Sequence, residues 1–336
     1  MVRVSAGARL HFGFQNLSLA HDRLYGGVGV GLAEPRVAVR AEPASDVTVR
    51  ASDDATPAVG GDERADVAAT RQYATHATEL LDVPGATVTI DRSLPRHVGL
   101  GSGTQLALAT YDAVARANDA HSTPREHAPA LGRGGRSGVG VATFEAGGFV
   151  VDAGHPTVRF TTDEPARGDW RTPPVVARHD LPEDWRFLLV LPDADTGRSG
   201  TEETESMRSV VERADPDVAD SVAGTLTRTI LPAAATGNRA RFADGVAELG
   251  RRNGAWYADE QGGVFRPPVG EIVQSLTHAD SVGGVGQSSW GPAVYALTHE
   301  SRTDDALTAA DAALDAADVD GHALAVEPDN DGARAE

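Results

Sequence analysis

Residues 95–109 read Pro-Arg-His-Val-Gly-Leu-Gly-Ser-Gly-Thr-Gln-Leu-Ala-Leu-Ala, a glycine-rich turn that runs straight into an apolar helix. The preceding segment, residues 86–91, alternates apolar and polar side chains like a half-buried strand, so the local order is strand, loop, turn, helix. Gly99, Gly101 and Gly103 allow positive φ and close approach of a ligand to the backbone. The amides at the helix start, residues 102–105, carry partial positive charge and suit an anion. A tight turn that serves packing alone is the competing reading of the same residues.

Composition restricts which side chains can work beside that turn. The 336 residues include no cysteine, which removes disulfides, thiolate catalysis and Cys-ligated metals. All 30 basic residues are arginine, so Schiff-base chemistry and lysine general bases are excluded. Phosphate contacts fall to arginine, amides, hydroxyls or a metal ion. The net charge of −19 argues against a nucleic-acid partner, and together with the Arg-only basic set it resembles proteins of salt-loving archaea. No apolar run is long enough for a membrane helix and residues 1–10 lack a signal-peptide pattern, so a soluble, cytoplasmic protein with no membrane partner is expected.

Periodicity predicts strands over 2–10, 37–41, 47–51, 185–192, 293–298 and 322–326. Helices are predicted over 66–81, 103–118, 124–131, 201–211, 222–235, 238–252, 270–278 and 304–316. The alternating glycines of residues 25–32 predict a strand approached closely by another backbone or a ligand. Gly147-Gly148 predicts a hairpin or a helix-to-strand corner. A polar, proline-rich stretch over 161–184 contains the expected boundary between domains at 1–170 and 180–328, with residues 329–336 a disordered tail.

Three glycine-rich segments, over 10–32, 95–109 and 283–292, resemble in order and content the motifs of the GHMP superfamily of small-molecule kinases. That resemblance implies an α+β, two-domain fold: an N-terminal ribosomal-protein-S5-domain-2-like half and a C-terminal ferredoxin-like α/β sandwich. Two kinase features are missing. Gly140 stands where the kinases carry a catalytic aspartate, and the lysine of their first motif has no counterpart. Without a positioned base, ordinary phosphoryl transfer is disfavoured.

Arg-Leu-His-Phe-Gly at 9–13, Gly-Gly-Val-Gly-Val-Gly-Leu at 26–32, Gly-Leu-Gly-Ser-Gly-Thr-Gln at 99–105, Gly-Gly-Arg-Ser-Gly-Val-Gly-Val-Ala-Thr-Phe-Glu at 134–145, Gly-Gly-Phe-Val-Val-Asp-Ala-Gly-His at 147–155 and Gly-Gln-Ser-Ser-Trp-Gly-Pro at 286–292 resemble one non-kinase branch, the β-ribofuranosylaminobenzene 5′-phosphate synthases. The resemblance implies transfer of a phosphoribosyl group from 5-phosphoribosyl-1-pyrophosphate to 4-aminobenzoate or a close analogue, with loss of CO₂ and pyrophosphate. This is an early step of methanopterin-type pterin synthesis. It further implies a homodimer and Mg²⁺, with neither pyridoxal phosphate nor a nicotinamide. Asn16 and Tyr25 stand where the family is expected to be acidic. An ATP-using kinase and an inactive phosphoribosyl-binding paralogue remain as alternatives.

The chemistry asks for anion stabilisation at the leaving group and a carboxylate or dipole near the cationic sugar carbon. The expected pyrophosphate contacts are Gly99, Gly101, Ser102, Gly103, Thr104, Arg96, Gln287 and Ser288. Glu145, Asp152, Arg136 and His11 are the catalytic candidates, and Ser102 with Glu145 the metal ligands. Plainer readings compete: Arg96 as an exposed loop cation, His11 as a core histidine, Asp152 and His155 as closers of the Ala153-Gly154 turn, Trp290 as core. Arg198 is a candidate lid residue.

Overall fold

The computed structural model describes residues 1–56, 63–158, 165–197 and 200–336. The first strand, β1 (Val2–Asn16), buries Val4, Ala6, Ala8, Leu10 and Phe12 on one face at period two. It runs six residues beyond its predicted end because its pairing with β2 continues, past a bulge between His11 and Gly13, to Asn16 opposite Tyr25. There follow β2 (Arg23–Pro43), β3 (Thr48–Thr56), α1 (Glu63–Leu81), β4 (Ala86–Arg92), α2 (Ser102–Ala117), α3 (Pro124–His127), α4 (Val139–Ala146), β5 (Phe149–Asp152), β6 (His155–Pro156) and β7 (Val175–His179). The second half holds β8 (Trp185–Pro192), α5 (Gly200–Arg213), α6 (Pro216–Thr225), a π-helical turn at Leu226–Ile230, α7 (Leu231–Thr236), α8 (Arg239–Gln261), α9 (Val269–Thr277), β9 (Gly283–Gln287), β10 (Val294–His299), α10 (Thr303–Ala316), β11 (Gly321–Val326) and β12 (Arg334–Ala335).

Two sheets result. The larger has the order β12-β1-β2-β4-β3, with β5 and β6 also on β2 and β7 on β5. The smaller is β11-β8-β10-β9. Phe12 of β1 meets Phe149, Phe187, Phe242 and Tyr295 at centroid separations from 5.0 to 6.5 Å, joining the larger sheet to β8, β10 and α8 in one core. On the far face of the smaller sheet, α9 and α10 close a second core around Leu188, Val190, Ile272 and Ala310. A third, under α5, places Met207, Val210 and Val211 on Leu17, Leu24, Tyr25 and Trp170.

The close approach predicted for the glycines of β2 is made by protein. A Cβ at Gly27 would lie 2.2 Å from Ser137 Oγ, and one at Gly29 2.7 Å from Val139 Cγ1, so α4 rests on the bare strand. Gly147-Gly148 is a helix-to-strand corner between α4 and β5. The disordered tail expected over 329–336 is corrected. Asp329, 4% exposed, pairs with buried Arg36 at 3.0 Å, and β12 adds to β1 through Val4↔Ala335. A composition of small and charged residues hides this order, because the partners lie near the opposite end of the chain.

Candidate functional site

The cradle is built where β4 hands the chain to α2. Gly101 is the helix N-cap in the left-handed region (φ 76°), and its carbonyl accepts from the amides of Thr104 (3.0 Å) and Gln105 (3.1 Å). This leaves Ser102 and Gly103, both lining the cleft, as the first-turn amides for a ligand. The turn is held from both sides: a Cβ at Gly99 would lie 2.2 Å from the Ser288 carbonyl and one at Gly101 2.8 Å from Arg9 Cγ.

In front of α2 opens a cleft of about 520 Å³ edged by Arg9, Arg96, Arg133, Glu203, Ser289 and Trp290. Arg9 Nη1 donates to the Gly99 carbonyl at 2.9 Å; burial lowers its pKa to about 10, with Glu203 acting in the opposite direction. Arg133 lies 5.3 Å from the centroid of the Tyr73 ring and donates to the Tyr73 hydroxyl. Arg96 donates to Asp66 at 3.0 Å. Three guanidinium groups, one of them paired with Asp66, and a helix N-terminus give this cleft the chemistry to hold an anion in an otherwise acidic protein.

The cleft shares Ser289 and Trp290 with a smaller, aromatic-walled pocket that also includes His11, Phe14, Tyr257 and Phe265. The Tyr257 and Trp290 rings meet edge to face at 4.7 Å, as do His11 and Phe14. Asn253 of α8 pairs with the Phe14 backbone, accepting from its amide at 2.6 Å and donating to its carbonyl at 3.0 Å, so α8 clamps β1 beside the pocket.

Behind His11 runs a buried polar chain. His11 Nε2 lies 3.1 Å from Ser137 Oγ, which lies 3.4 Å from Asp152 Oδ2. Burial, with help from Arg9, lowers the His11 pKa to about 3, so the ring is neutral. Burial raises Asp152 to about 6, against hydrogen bonds from the amides of Gly154, Gly138 and Gly27 and from Ser137.

The comparisons with known proteins decide the family. The GHMP kinase N-terminal domain model matches residues 67–148 and the C-terminal model residues 230–316. β-Ribofuranosylphenol 5′-phosphate synthase of Methanothermobacter thermautotrophicus is 34% identical over 250 residues, 73% of this chain and 74% of that protein. The chain belongs to the β-ribofuranosylphenol 5′-phosphate synthase family, within the GHMP superfamily. A protein of the same name from Archaeoglobus fulgidus is 34% identical over 196 residues, 57% of this chain and 58% of the relative. Among solved structures, Methanococcus jannaschii mevalonate kinase superposes with a TM-score of 0.67 at 11% identity, over 98% of each chain. Homoserine kinase from Cytophaga hutchinsonii does so with a TM-score of 0.65 at 15% identity, over 100% of this chain and 97% of that one. These two likenesses carry the fold alone.

Within this synthase-family fold the predicted residues divide. Gly99, Gly101, Ser102, Gly103, Thr104 and Arg96 line the cleft. His11 lines the aromatic pocket. Arg136 reaches the first turn of α5 instead, with Thr204 Oγ1 at 3.0 Å and Glu203 at 3.5 Å. Ser288 is a fully buried strut that accepts from the His11 amide at 3.0 Å and donates to the Gly99 carbonyl at 2.7 Å. Gln287 lines the pocket, but its amide is taken up by the Arg266 amide, Gln261 and the Ser289 carbonyl.

Two expectations are overturned. Glu145 ends α4 away from the cleft and takes a 2.7 Å bridge from Arg125, so Ser102 and Glu145 do not form a metal pair. Asp152 is 0% exposed and spends its oxygens on backbone amides, which makes it a closer of the turn at Ala153-Gly154 rather than a group that meets substrate. Asn16 has a structural use: its side chain joins the amide and carbonyl of Ser18 and the carbonyl of Arg23, closing the β1–β2 turn. A carboxylate there would lose both donated bonds. Arg198 lies outside the described residues. Sequence reasoning missed Arg9, Arg133 and Glu203 as cleft residues; Arg9 heads the Arg-Leu-His-Phe-Gly motif already singled out, and Arg133 immediately precedes the glycine-rich motif that begins at Gly134.

Proposed function

We propose that this chain is a decarboxylating phosphoribosyltransferase that joins a 4-substituted benzoate to 5-phosphoribosyl-1-pyrophosphate, as an early step toward a methanopterin-type pterin. The observation that carries the reading is an anion cleft that adjoins an aromatic pocket across their shared Ser289 and Trp290. One site takes the pyrophosphate and the other the aromatic ring. The bond from ribose C1 to the pyrophosphate oxygen breaks, C1 bonds the ring carbon bearing the carboxylate, and that carboxylate leaves as CO₂, its bonding pair restoring the ring.

Arg9, Arg133 and the α2 amides bind the donor and meet the negative charge that grows on the leaving group, where one such contact is worth roughly 10²–10³ in rate. Neutral His11 and the rings of Phe14 and Tyr257 exclude water from the ring carbon. Kinase chemistry finds less support. Gly140 supplies no carboxylate where the kinases carry their catalytic aspartate, and a Cβ there would lie 3.1 Å from Thr104 Cγ2, so Thr104 would have to shift to admit one.

The names of the relatives specify a phenol product, which favours 4-hydroxybenzoate over the 4-aminobenzoate expected from sequence. Both carry a para group that pushes electron density toward the attacking carbon. Among the described residues no cluster of three His, Asp or Glu side chains could hold a metal alone. The hydroxyls of Ser102 and Thr104 suit a Mg²⁺ ion held chiefly by pyrophosphate oxygens. Such an ion would neutralise charge on the leaving group. A cytoplasmic homodimer completes the proposal, checked by its mass in sedimentation.

The test supplies donor, Mg²⁺ and carboxyl-labelled 4-hydroxybenzoate or 4-aminobenzoate, and counts released CO₂. Release with the hydroxy acid in preference to the amino acid is expected. No release from either, by folded protein, overturns the transferase; phosphate transfer from ATP to a small alcohol favours the kinase.

A further inference from the structure

Resting on the transferase reading, we propose that Glu203 is the catalytic carboxylate of this site, stabilising the positive charge that develops at ribose C1 as pyrophosphate departs. The two carboxylates expected from sequence are unavailable, Glu145 because it faces Arg125 and Asp152 because it is sealed among amides. Among the described residues lining the anion cleft, Glu203 is the one acid.

Its position is built rather than incidental. Glu203 lies in the first turns of α5, its side chain 33% exposed and 3.5 Å from Arg136, which is itself 14% exposed. Arg136 also holds the neighbouring Thr204 at 3.0 Å, so two contacts from one guanidinium fix this turn against the cleft. Met207, Val210 and Val211, further along α5, anchor the helix in the aromatic core.

Glu203 lines the anion cleft, which shares Ser289 and Trp290 with the aromatic pocket. Its charge is felt by Arg9 on the anion side and by Tyr257 in the aromatic pocket. A fixed carboxylate beside an anion site is unfavourable for free pyrophosphate, because like charges repel. It becomes favourable when the sugar carbon turns cationic between them. A residue with those opposed effects should weaken ground-state binding and accelerate turnover.

Glu203→Gln separates these effects. With Mg²⁺ absent, calorimetry should show inorganic pyrophosphate bound several-fold more tightly by the variant than by wild type. Turnover with a saturating donor should fall at least 100-fold at an unchanged Tm, and Glu203→Asp should recover part of it. Turnover within threefold of wild type overturns the proposal. Weaker pyrophosphate binding with a lowered Tm overturns it in favour of a structural strut. Loss in the variant of the strengthening that Mg²⁺ gives to pyrophosphate binding overturns it in favour of a metal ligand. Wild-type protein that releases no CO₂ would instead remove the transferase reading, so the two failures are distinct.

Discussion

Gly101 shows how much one backbone conformation can carry. At φ 76° and with Arg9 Cγ 2.8 Å from its missing Cβ, a β-branched residue would both strain the N-cap and push Arg9 out of the cleft. Gly101→Val is expected to lose at least 100-fold in pyrophosphate affinity by calorimetry while keeping the wild-type circular dichroism spectrum. Undiminished affinity would remove the cradle from the site. Buried ionisable groups give a second test. Burial holds His11 at about 3 and His155 at about 4, below their ordinary value, so the stability they permit at neutral pH is lost as pH falls through about 6.5. Asp152, raised to about 6, acts oppositely, its ionisation costing stability as pH rises from about 4 to 6. Between those limits these two histidines oppose one carboxyl, so the three groups together contribute a net uptake of about one proton on unfolding, or ~1.4 kcal/mol of stability per pH unit. Asp152→Asn should steepen the slope by about one proton, or ~1.4 kcal/mol per pH unit; urea midpoints at several pH values between 4.5 and 6 would show it, and an unaltered slope would contradict the assignment.

Elements with a strong period of their own were legible from sequence. The spans predicted for β8, α2 and α10 agree with the structure to within a residue or two, because each carries an uninterrupted apolar face. Helices 222–235 and 238–252 were less so. The first is interrupted by the π-helical turn at Leu226–Ile230, and α8 continues to Gln261, its last turns facing the aromatic pocket with Tyr257. The tail is the clearest case of an element created by tertiary contact. Its Asp329 accepts from Arg36 at 3.0 Å where both side chains are at most 8% exposed. Asp329→Ala would leave that guanidinium buried without its counterion and should cost about 3–5 kcal/mol. Denaturant unfolding measures the loss, and hydrogen exchange should rise first in β12 and at the end of α4, where Ala333 bonds the Phe144 carbonyl at 2.7 Å.

For the whole molecule, the two halves share one core through β1, so they are expected to unfold together. Phe12, 2% exposed at the meeting of both sheets, is the residue to test. Phe12→Ala should cost about 3–5 kcal/mol, with far-UV and near-UV signals still falling in one transition; separate transitions would show that the halves are independent. The sequence alone determined the local grammar: the strand, glycine turn and helix of the cradle, the absence of lysine and cysteine chemistry, and motifs specific enough to indicate the superfamily and its non-kinase branch. Each depends on residues adjacent in the chain, whose period and backbone freedom act without distant partners. Only the tertiary structure decided which side chains meet. It brought Arg9 and Ser288 to Gly99 across 90 and 189 residues, set Arg133 and Glu203 around the same opening, and turned Glu145 away. That selection comes from sheet register and helix docking, which sum contacts over the whole fold. The glycine cradle was therefore visible in fifteen consecutive letters, whereas the acid that faces it was not.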